Sequence, residues 1–293
     1  MSIICYLRYL CLALLLIICS NFIPIAFPEN VSNTGNNSSL THPSNSINES
    51  KNVTIIDAVG DIECSKNIHD KILQDNPTIF IALGDLCYNR NLTNFINTYN
   101  DFKKVDKLAC VIGNHESLEN ANLKELKQAL EYCGDHWFRK IANDTTLLIG
   151  LNTNGNIRLQ SNWGKSLVLN LTFMDGIKNV LLFAHKPAHS PPGPDHKVVR
   201  SSAQLFSAIV DKIPEDIEVY EIAAHNHLMA ESSNGRWFIS GAGGRSLYDF
   251  STDSSWSLVN NKEFGYLQIK INNTDGNVLS THFYGFDDGK LIH

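Results

Sequence analysis

Short apolar runs alternate with amphipathic stretches through the first half of the chain. The runs at 53–59, 78–83 and 108–112 have the length and apolar content of buried strands. Each is followed by a stretch with apolar residues at helical spacing, and Ser65 is placed to act as the N-cap of the first of these helices. Three strand–helix units in succession predict a parallel sheet with right-handed crossovers.

The second half of the chain is richer in predicted strands. The patterns predict a helix at 201–210 and strands at 145–151, 167–171, 180–184, 217–223 and 236–240. The last part, from 265 to 286, has apolar residues at alternate positions, which is typical of a sheet with one face toward the core. Together these patterns place the chain in the α/β class.

Five of the predicted strands end in side chains that can bind a metal ion. In chain order these side chains are Asp61, Asp85 with Tyr88, Asn114 with His115, His185, and His225 with His227. Taken singly, an aspartate after a glycine is usually a turn residue, and a lone histidine usually has a structural role. Because all five groups follow a strand, and open α/β sheets bind ligands outside the carboxyl ends of their strands, we predict that they meet at one site.

The predicted site mixes carboxylate, amide and phenol oxygens with imidazole nitrogens. This set suits two first-row divalent or trivalent ions better than calcium or a zinc site built from thiolates. A carboxylate can bridge two ions that lie about 3.5–4 Å apart, and the central Asp85 is placed to do so.

The overall charge argues against nucleic-acid binding. The chain has 293 residues and a formal net charge of -6, and no basic cluster is visible along it. Domains that bind nucleic acids carry a basic patch or stripe, so no nucleic acid is expected among the partners of this protein. The length is sufficient for one large domain or two small ones.

The N-terminal residues have the pattern of a targeting segment. Arg8 precedes an apolar run from Tyr9 to Ile18, and we interpret residues 1–27 as a signal peptide or an N-terminal membrane anchor. Residues 28–52 are rich in Asn and Ser, contain several Asn-x-Ser/Thr acceptors, and are predicted to be a disordered, glycosylated linker. The protein is therefore expected to be secreted or held at the cell surface, with residues 53–293 as its folded domain.

Four cysteines follow the targeting segment, namely Cys64, Cys87, Cys110 and Cys133. In an exported protein they can form two disulfides in any of three connectivities, and the alternative is that they are buried free thiols. No two of them have the C-x2-C spacing of a zinc site. If disulfides form, we favour the pair Cys64–Cys87, because both residues follow neighbouring strand ends by a few positions.

Five segments of the chain resemble motifs of one enzyme superfamily. Gly-Asp-Leu-Cys-Tyr at 84–88 resembles the GDxxY motif of purple acid phosphatases, and Gly-Asn-His-Glu at 113–116 resembles the GNHE/GNHD motif of calcineurin-like metallophosphoesterases. Ala-His-Asn-His at 224–227 resembles their GHxH motif, and His-Lys-Pro at 185–187 is similar to their histidine followed by x-Pro. Gly-Ala-Gly-Gly at 241–244 is similar to the glycine-rich strand end that follows GHxH in many members.

The resemblance implies a four-layer α/β/β/α sandwich of two mixed β-sheets, with residues 53–293 as the catalytic domain. It also implies two metal sites. The first would be held by Asp61, Asp85, Tyr88 and His227, and the second by Asp85, Asn114, His185 and His225. His115 would face the substrate phosphate, and His189 or His196, in the loop after His185, would add a second imidazole there.

Two positions depart from the motifs of most of the superfamily. The first motif is Asp61-Ile62-Glu63, where most members have Asp-x-His. Purple acid phosphatases have Asp-x-Gly there and use the tyrosine instead, which favours Tyr88 as a ligand. Glu63 is either a hydrogen-bond acceptor outside the metal ligands or a charged turn residue. Ala224 replaces the glycine of GHxH, at little cost unless the backbone needs a positive φ.

These features predict an exported phosphatase of the purple acid phosphatase type. It would hydrolyse phosphomonoesters by attack of a metal-bound hydroxide, with iron paired with zinc, manganese or a second iron. A phosphodiesterase or nucleotidase using the same site is the nearest alternative, and a surface binding protein with an inactive site is a more distant one. The expected partner is therefore a phosphoester substrate, and the sequence does not predict the oligomeric state.

Overall fold

The structure, a computed structural model, describes residues 52–88, 92–117, 120–193, 198–286 and 291–292. The predicted targeting segment, all but the last residue of the predicted linker, and His196 lie outside these residues. None of the helices in the described part is both long enough and apolar enough to span a membrane.

The first sheet contains the three strands predicted in the first half of the chain. It is built from β1 (Val53–Val59), β2 (Ile79–Ala82), β3 (Leu108–Cys110), β11 (Gly265–Asn272) and β12 (Val278–Gly285). In space the order is β12–β11–β1–β2–β3, with β1, β2 and β3 parallel and with β11 antiparallel to both of its neighbours. The parallel arrangement confirms the prediction and brings the carboxyl ends of three strands to one edge of the sheet.

The second sheet is formed by the middle of the chain. Its strands are β4 (His136–Ile141), β5 (Thr146–Leu151), β6 (Asn179–Ala184), β7 (Glu218–Ala223), β8 (Met229–Ser232), β9 (Trp237–Ser240) and β10 (Trp256–Asn260). They lie in the order β10–β8–β9–β7–β6–β5–β4, and β5, β6, β7 and β9 are parallel. The carboxyl ends of β6 and β7 are therefore neighbours.

Eight helices connect these strands within the described residues. They are α1 (Lys66–Asp75), α2 (Leu92–Thr98), α3 (Asn100–Lys104), α4 (Asn114–Ser117), α5 (Asn120–Ala129), α6 (Ile157–Val168), α7 (Leu171–Met174) and α8 (Arg200–Val210). Ser65 caps α1 as predicted, because its hydroxyl accepts a hydrogen bond from Ile68 N at 3.5 Å.

Three apolar cores separate the layers. The central core lies between the two sheets and includes Ile56 and Ile81 from the first sheet and Phe183 and Ile222 from the second. A second core packs α1, α2, α3 and α5 on the outer face of the first sheet, and a third packs α6, α7 and α8 on the outer face of the second. The result is the predicted four-layer α/β/β/α sandwich of two mixed sheets.

The continuous apolar runs arise because the central strands are buried on both faces. In β2, Ile79 and Ile81 point into the central core, whereas Phe80 and Ala82 point toward the helices, and all four residues are fully buried. A strand covered on both faces has no polar alternation, which is typical of parallel strands in α/β folds. The first polar residues therefore come only after the strand ends, at the edge of the sheet.

Residues 167–171, predicted as a strand, are instead helical at both ends. α6 begins after Asn156, whose side-chain oxygen accepts a hydrogen bond from Leu159 N at 3.1 Å, and it continues to Val168 before α7 starts. Val168 belongs to a buried helical stripe with Gly164, and a five-residue apolar window cannot distinguish such a stripe from a strand.

The sequence patterns do not predict β4, β8 or β10. β4 and β10 are the two edge strands of the second sheet, and most of their residues are exposed or half-buried. β8 has only four residues. Short or weakly buried strands lack the apolar signal on which the prediction depends.

Candidate metal centre

The side chains singled out at the strand ends converge where the two sheets meet. Asp61 follows β1, Asp85 follows β2, Asn114 opens α4 after β3, His185 follows β6, and His225 and His227 follow β7. Beside this point the sheets are hydrogen-bonded to each other: Gly60 N donates to Ser240 O at 2.8 Å, and the Ser240 hydroxyl donates to Ala58 O at 2.8 Å. The strand ends of both sheets are thus held at one edge of the sandwich.

Asp61, Tyr88 and His227 form what we call the first cluster. The Tyr88 hydroxyl donates to Asp61 Oδ1 at 2.6 Å and lies 3.0 Å from His227 Nε2. His227 Nε2 is itself 3.3 Å from Asp61 Oδ1, and both residues are buried. A carboxylate oxygen, a phenol oxygen and an imidazole nitrogen therefore lie within reach of one ion.

Asp85, Asn114, His185 and His225 form the second cluster. His185 Nε2 lies 3.1 Å from Asn114 Oδ1, 3.2 Å from His225 Nδ1 and 3.3 Å from Asp85 Oδ2. Ligand atoms of Asp85, His185 and His225 all lie within 4.8 Å of one another, which is close enough for one metal ion to contact all three. The sequence motifs predict the same four residues for the second metal.

One carboxylate oxygen of each aspartate accepts a hydrogen bond from a backbone N–H of another loop. His115 N donates to Asp85 Oδ1 at 2.9 Å, and His225 N donates to Asp61 Oδ2 at 3.0 Å. The second oxygen of each group, Asp85 Oδ2 and Asp61 Oδ1, faces its cluster. These two oxygens are therefore placed to hold metal ions.

Two of the histidines are oriented by backbone carbonyls. His185 Nδ1 lies 2.8 Å from Leu83 O, and His227 Nδ1 lies 2.8 Å from Ser246 O. A carbonyl only accepts hydrogen bonds, so each Nδ1 carries a proton and each Nε2 faces its cluster, where it can bind a metal ion once it carries no proton of its own. Metal-binding histidines are commonly fixed in this way, and the donor set of both clusters fits metal ions.

The electrostatics of the second cluster favour a cation. Burial alone would lower the pKa of His185, but the adjacent Asp85 carboxylate outweighs it and raises that pKa to about 9. Burial opposes ionisation of Asp85 as well, yet His185 and the His115 N–H hold the pKa of Asp85 well below its usual range. The pair thus retains a proton that a metal cation would replace.

Sequence comparison identifies the family to which this arrangement belongs. The sequence model of the family described as Calcineurin-like phosphoesterase matches residues 41–229. The chain is a member of this family. None of the curated proteins matches its sequence.

Several solved structures are similar to this phosphoesterase-family chain, including one from Plasmodium and one from yellow lupin. GAP50, the anchor in the inner membrane complex of Plasmodium, has a TM-score of 0.61 at 16% sequence identity, over 83% of this chain and 87% of that protein. The purple acid phosphatase PPD1 from yellow lupin (Lupinus luteus) seeds has a TM-score of 0.56 at 13% identity, over 82% of this chain and 52% of the lupin chain. The present chain thus spans about half the length of the lupin enzyme, and at these identities the likeness concerns the fold alone.

Three candidate ligands of this phosphoesterase lie in the left-handed backbone region. Asp61 has a φ of 59°, Asp85 a φ of 49° and His225 a φ of 66°. Aspartate and histidine adopt this region more often than most residues, but each instance still costs of order 1–3 kcal/mol, and such residues cluster at functional sites. Ala224 does not have a positive φ, so it replaces the glycine of the GHxH motif without backbone strain.

Glu116 has a positioning role that the sequence analysis does not assign. Its buried carboxylate accepts hydrogen bonds from Asp85 N, Leu86 N and Gly113 N, each at 2.9 Å. A Cβ at Gly113 would lie 2.1 Å from Asp85 Oδ1, so only glycine permits this close approach of the two loops. Burial and the neighbouring Asp85 raise the pKa of Glu116 to about 7. The sequence signal that could have indicated this role of Glu116 is its place as the last residue of the Gly-Asn-His-Glu motif.

His115 lies beside the two clusters and outside both. Its side chain is 33% exposed, and its Nε2 is 3.8 Å from Asp85 Oδ2. Its ring packs against that of Tyr88, with 4.4 Å between the centroids. The imidazole is therefore reachable from solvent next to the candidate metal ligands, which is compatible with its predicted place facing the substrate.

The structure places His189 elsewhere. Its ring stacks on Trp237 with the centroids 3.6 Å apart, and its Nε2 lies 3.5 Å from Glu221 Oε2. Glu221 and Trp237 are register partners in β7 and β9, several residues before those strands reach the metal centre. The prediction that His189 adds an imidazole beside the phosphate therefore needs correction, because the aromatic stack directs its ring to the middle of the second sheet. His196 lies outside the described residues.

Glu63 is a charged turn residue, which decides between its two interpretations. It has a φ of 51°, and its carboxylate accepts a hydrogen bond from Arg245 Nη1 at 2.6 Å. The guanidinium of Arg245 lies 4.6 Å from the centroid of the Tyr88 ring. Glu63 thus belongs to the rim of the first cluster.

Both pairs of cysteines are disulfide-bonded. Cys64 is joined to Cys87, as predicted, and Cys110 is joined to Cys133. The first disulfide connects the loop that carries Asp61 to the loop that carries Tyr88. Hydrogen bonds also join these two loops, among them one from Cys64 N to Leu86 O at 2.8 Å. The disulfide thus connects two of the three segments that build the first cluster.

The two disulfides allow a matched test of this connection. Both close a segment with a sequence separation of 23 residues, so replacing either pair by serine is expected to lower the unfolding free energy by a similar amount, about 3 kcal/mol. We expect only the Cys64→Ser/Cys87→Ser variant to lose metal from the first cluster as well. Thermal denaturation and metal analysis of both double variants check this expectation. Equal metal content in the two folded variants would contradict it.

Proposed function

We propose that the chain is an exported, purple acid phosphatase-like enzyme that hydrolyses phosphomonoesters at two metal ions. Membership of the calcineurin-like phosphoesterase family supports hydrolysis of phosphoric esters. The observation that carries the finer proposal is the position of Tyr88, whose hydroxyl lies with Asp61 and His227 in the first cluster. Because Glu63 replaces the histidine of the Asp-x-His motif and pairs with Arg245, the phenol is the group that completes this cluster.

The residues of the two clusters suit an iron ion paired with zinc, manganese or a second iron. One ion would be held by the first cluster and the other by the second, with Asp85 contributing to both. When bound, such ions polarise the phosphoryl oxygens and lower the pKa of water toward about 7. A phenolate is a hard anionic ligand, which favours a trivalent ion in the first cluster.

His115 is the side chain we assign to the phosphoryl group. It is partly exposed, lies 3.8 Å from Asp85 and holds none of the contacts that define the two clusters. A protonated imidazole donates hydrogen bonds to phosphoryl oxygens as their negative charge grows. The same group can give its proton to the leaving alkoxide in mildly acidic medium.

Export of the protein is supported by its cysteines and its N-terminal segment. Disulfides persist mainly in oxidising compartments, and all four cysteines of the folded domain are paired. The apolar segment within residues 1–27 and the Asn-x-Ser/Thr acceptors agree with a route to the exterior or the cell surface. N-terminal sequencing of the protein from its native host distinguishes a cleaved signal peptide from a retained anchor.

A phosphoester panel measured with added Fe, Zn, Mn and Mg tests the proposed activity. The monoester 4-nitrophenyl phosphate should be hydrolysed with a higher kcat/KM than the diester bis(4-nitrophenyl) phosphate. The reverse preference would favour the phosphodiesterase alternative on the same residues. Metal analysis of the same preparation should give two ions for each chain.

An anchoring or binding role without catalysis is the second candidate. It is favoured by one observation, the similarity of the fold to that of a protein described as the anchor in the inner membrane complex of Plasmodium. All seven predicted metal ligands nevertheless lie in the two clusters, which argues for catalysis. A preparation that holds no stoichiometric metal and hydrolyses neither ester would favour the anchoring role.

Tyr88 decides the type of metal site. An iron-loaded enzyme should show a visible phenolate-to-iron charge-transfer band, and Tyr88→Phe should remove the band and weaken metal binding in the first cluster more than in the second. Tyr248→Phe is the matched control, because the Tyr248 ring stacks on His227 with 4.2 Å between the centroids. That variant should keep the band. A Tyr88→Phe protein with unchanged colour and metal affinity would show that the phenol only packs beside the site.

A further inference from the structure

An exposed arginine lies at the edge of the metal centre. The guanidinium of Arg245 is over the ring of Tyr88, whose hydroxyl belongs to the first cluster. Arg245 N donates to Asp61 O at 3.2 Å, so the main chain of this residue is also attached to a candidate ligand. These two contacts fix a positive charge next to the first cluster.

The contacts of Arg245 leave much of its guanidinium able to bind another group. Its side chain is 47% exposed. Among the described residues it forms an ion pair with Glu63, whose side chain is 39% exposed. A guanidinium has five N–H donors in a planar fork, and Glu63 accepts from Nη1 alone. Exposed ion pairs add little to stability, so stability is a weak reason for an arginine at this position.

The ring of Tyr88 connects Arg245 to the place where the reacting phosphoryl group would bind. The ring contacts both the His115 imidazole, at 4.4 Å between centroids, and the guanidinium, at 4.6 Å. A phosphoryl group beside His115 and the two clusters would therefore lie near the phenol ring that also contacts Arg245. The group that reaches Arg245 is then the leaving-group part of the substrate, which lies next to the hydrolysed phosphoryl group.

We propose that Arg245 binds a second anionic group, a phosphate or a carboxylate, on the leaving group of the substrate. This inference rests on the proposed phosphoester hydrolysis and names its substrate class: phosphoesters whose leaving group is itself an anion. The planar guanidinium of arginine binds a carboxylate or a phosphate through two parallel hydrogen bonds. In the protein without substrate, Glu63 takes the place of that anion, and the substrate displaces it.

Two matched pairs of substrates test the proposal. Adenosine 3′,5′-bisphosphate and adenosine 5′-monophosphate differ by one phosphate, and 2-phosphoglycolate and 2-hydroxyethyl phosphate differ by one carboxylate. Arg245→Gln should lower kcat/KM for the substrate with the second anion about tenfold to one-hundredfold more than for its partner, the range given by hydrogen bonds to charged groups. The two pairs distinguish a phosphate from a carboxylate as the preferred anion.

Two further variants make the test specific. Arg236→Gln is the control, because Arg236 also lies over a tyrosine ring, that of Tyr220 at 4.7 Å, and pairs with Glu218, but at the opposite end of the second sheet. It should leave both substrate ratios unchanged. Glu63→Gln removes the competing carboxylate and should lower KM for the substrates that carry the second anion.

The outcomes separate this proposal from the proposed function. If Arg245→Gln lowers kcat/KM equally for both members of each pair, the residue serves the reacting phosphoryl group and the substrate class is wrong. If Arg245→Gln changes kcat/KM for none of the four substrates, Arg245 does not touch the substrate and the proposal is overturned. A wild-type enzyme that binds two metals but hydrolyses none of the four esters would contradict the proposed function instead.

Discussion

Replacing Asp85 by alanine should abolish phosphoester hydrolysis and lower the metal content of both clusters. Asp85 Oδ2 lies 3.3 Å from His185 Nε2, and Asp85 Oδ1 is held by the N–H of His115. Asp85 is the carboxylate that would contribute to both metal sites. Changes around a metal ligand typically cost 10–100-fold, and removal of a shared ligand should cost more. Activity assays and metal analysis of the purified variant measure the effect.

Two aspartate variants separate lost charge from lost structure. Asp85→Asn keeps an oxygen that accepts the hydrogen bond of His115 N and removes only the charge, and it should lose metal as Asp85→Ala does. Asp57→Asn is the control in the same sheet, because Asp57 lies within β1, outside both clusters, and burial raises its pKa to about 8. It should keep both metals. Two-metal stoichiometry in the Asp85 variants would remove this residue from the bridging role.

His115→Ala should keep both metals and lose turnover by about 10²–10⁴-fold, the usual contribution of general acid–base catalysis. Alanine retains the backbone N–H that holds Asp85 Oδ1, so the second cluster keeps its geometry. Only the imidazole beside the clusters is removed. Metal analysis together with kcat and KM for a monoester substrate measures the two effects separately.

Two more histidine variants define the role of the imidazole. His115→Asn supplies a hydrogen-bond donor that cannot transfer a proton, so it should recover part of the phosphoryl binding and none of the acid-dependent turnover. His136→Ala is the control, because His136 lies in the edge strand β4 and its ring packs against Trp163 of α6. Loss of metal from His115→Ala would mean that His115 is a ligand.

The convergence of the candidate ligands could be predicted because their signal is local. Most of them follow the end of an apolar run within a few residues, so their position along the chain already places them at the carboxyl end of a strand. Asp61 and Asp85 are examples: they follow β1 and β2, which are parallel neighbours. The confirmed Cys64–Cys87 disulfide has the same origin, since both cysteines follow those strand ends.

The groups that orient the ligands could not be predicted, because their contacts are long-range or involve the backbone. The carbonyl of Leu83 fixes the tautomer of His185, and a backbone carbonyl has no signature in the sequence. Glu116 accepts a hydrogen bond from the backbone N–H of Asp85, which is 31 positions away along the chain. His189 was misplaced for the same reason, since its stacking partner Trp237 is distant along the chain.

The hydrogen bonds that join the two sheets at the metal centre have a mechanical consequence. Asp61, from the first sheet, is held by the N–H of His225 from the second, and His185, from the second sheet, is held by the carbonyl of Leu83 from the first. Metal ions bound to these residues would act as a cross-link between the halves of the sandwich. Opening of the sandwich at this edge and release of the ions would then be one event, and the rate of amide hydrogen exchange at the ends of β1 and β6 would report on metal occupancy.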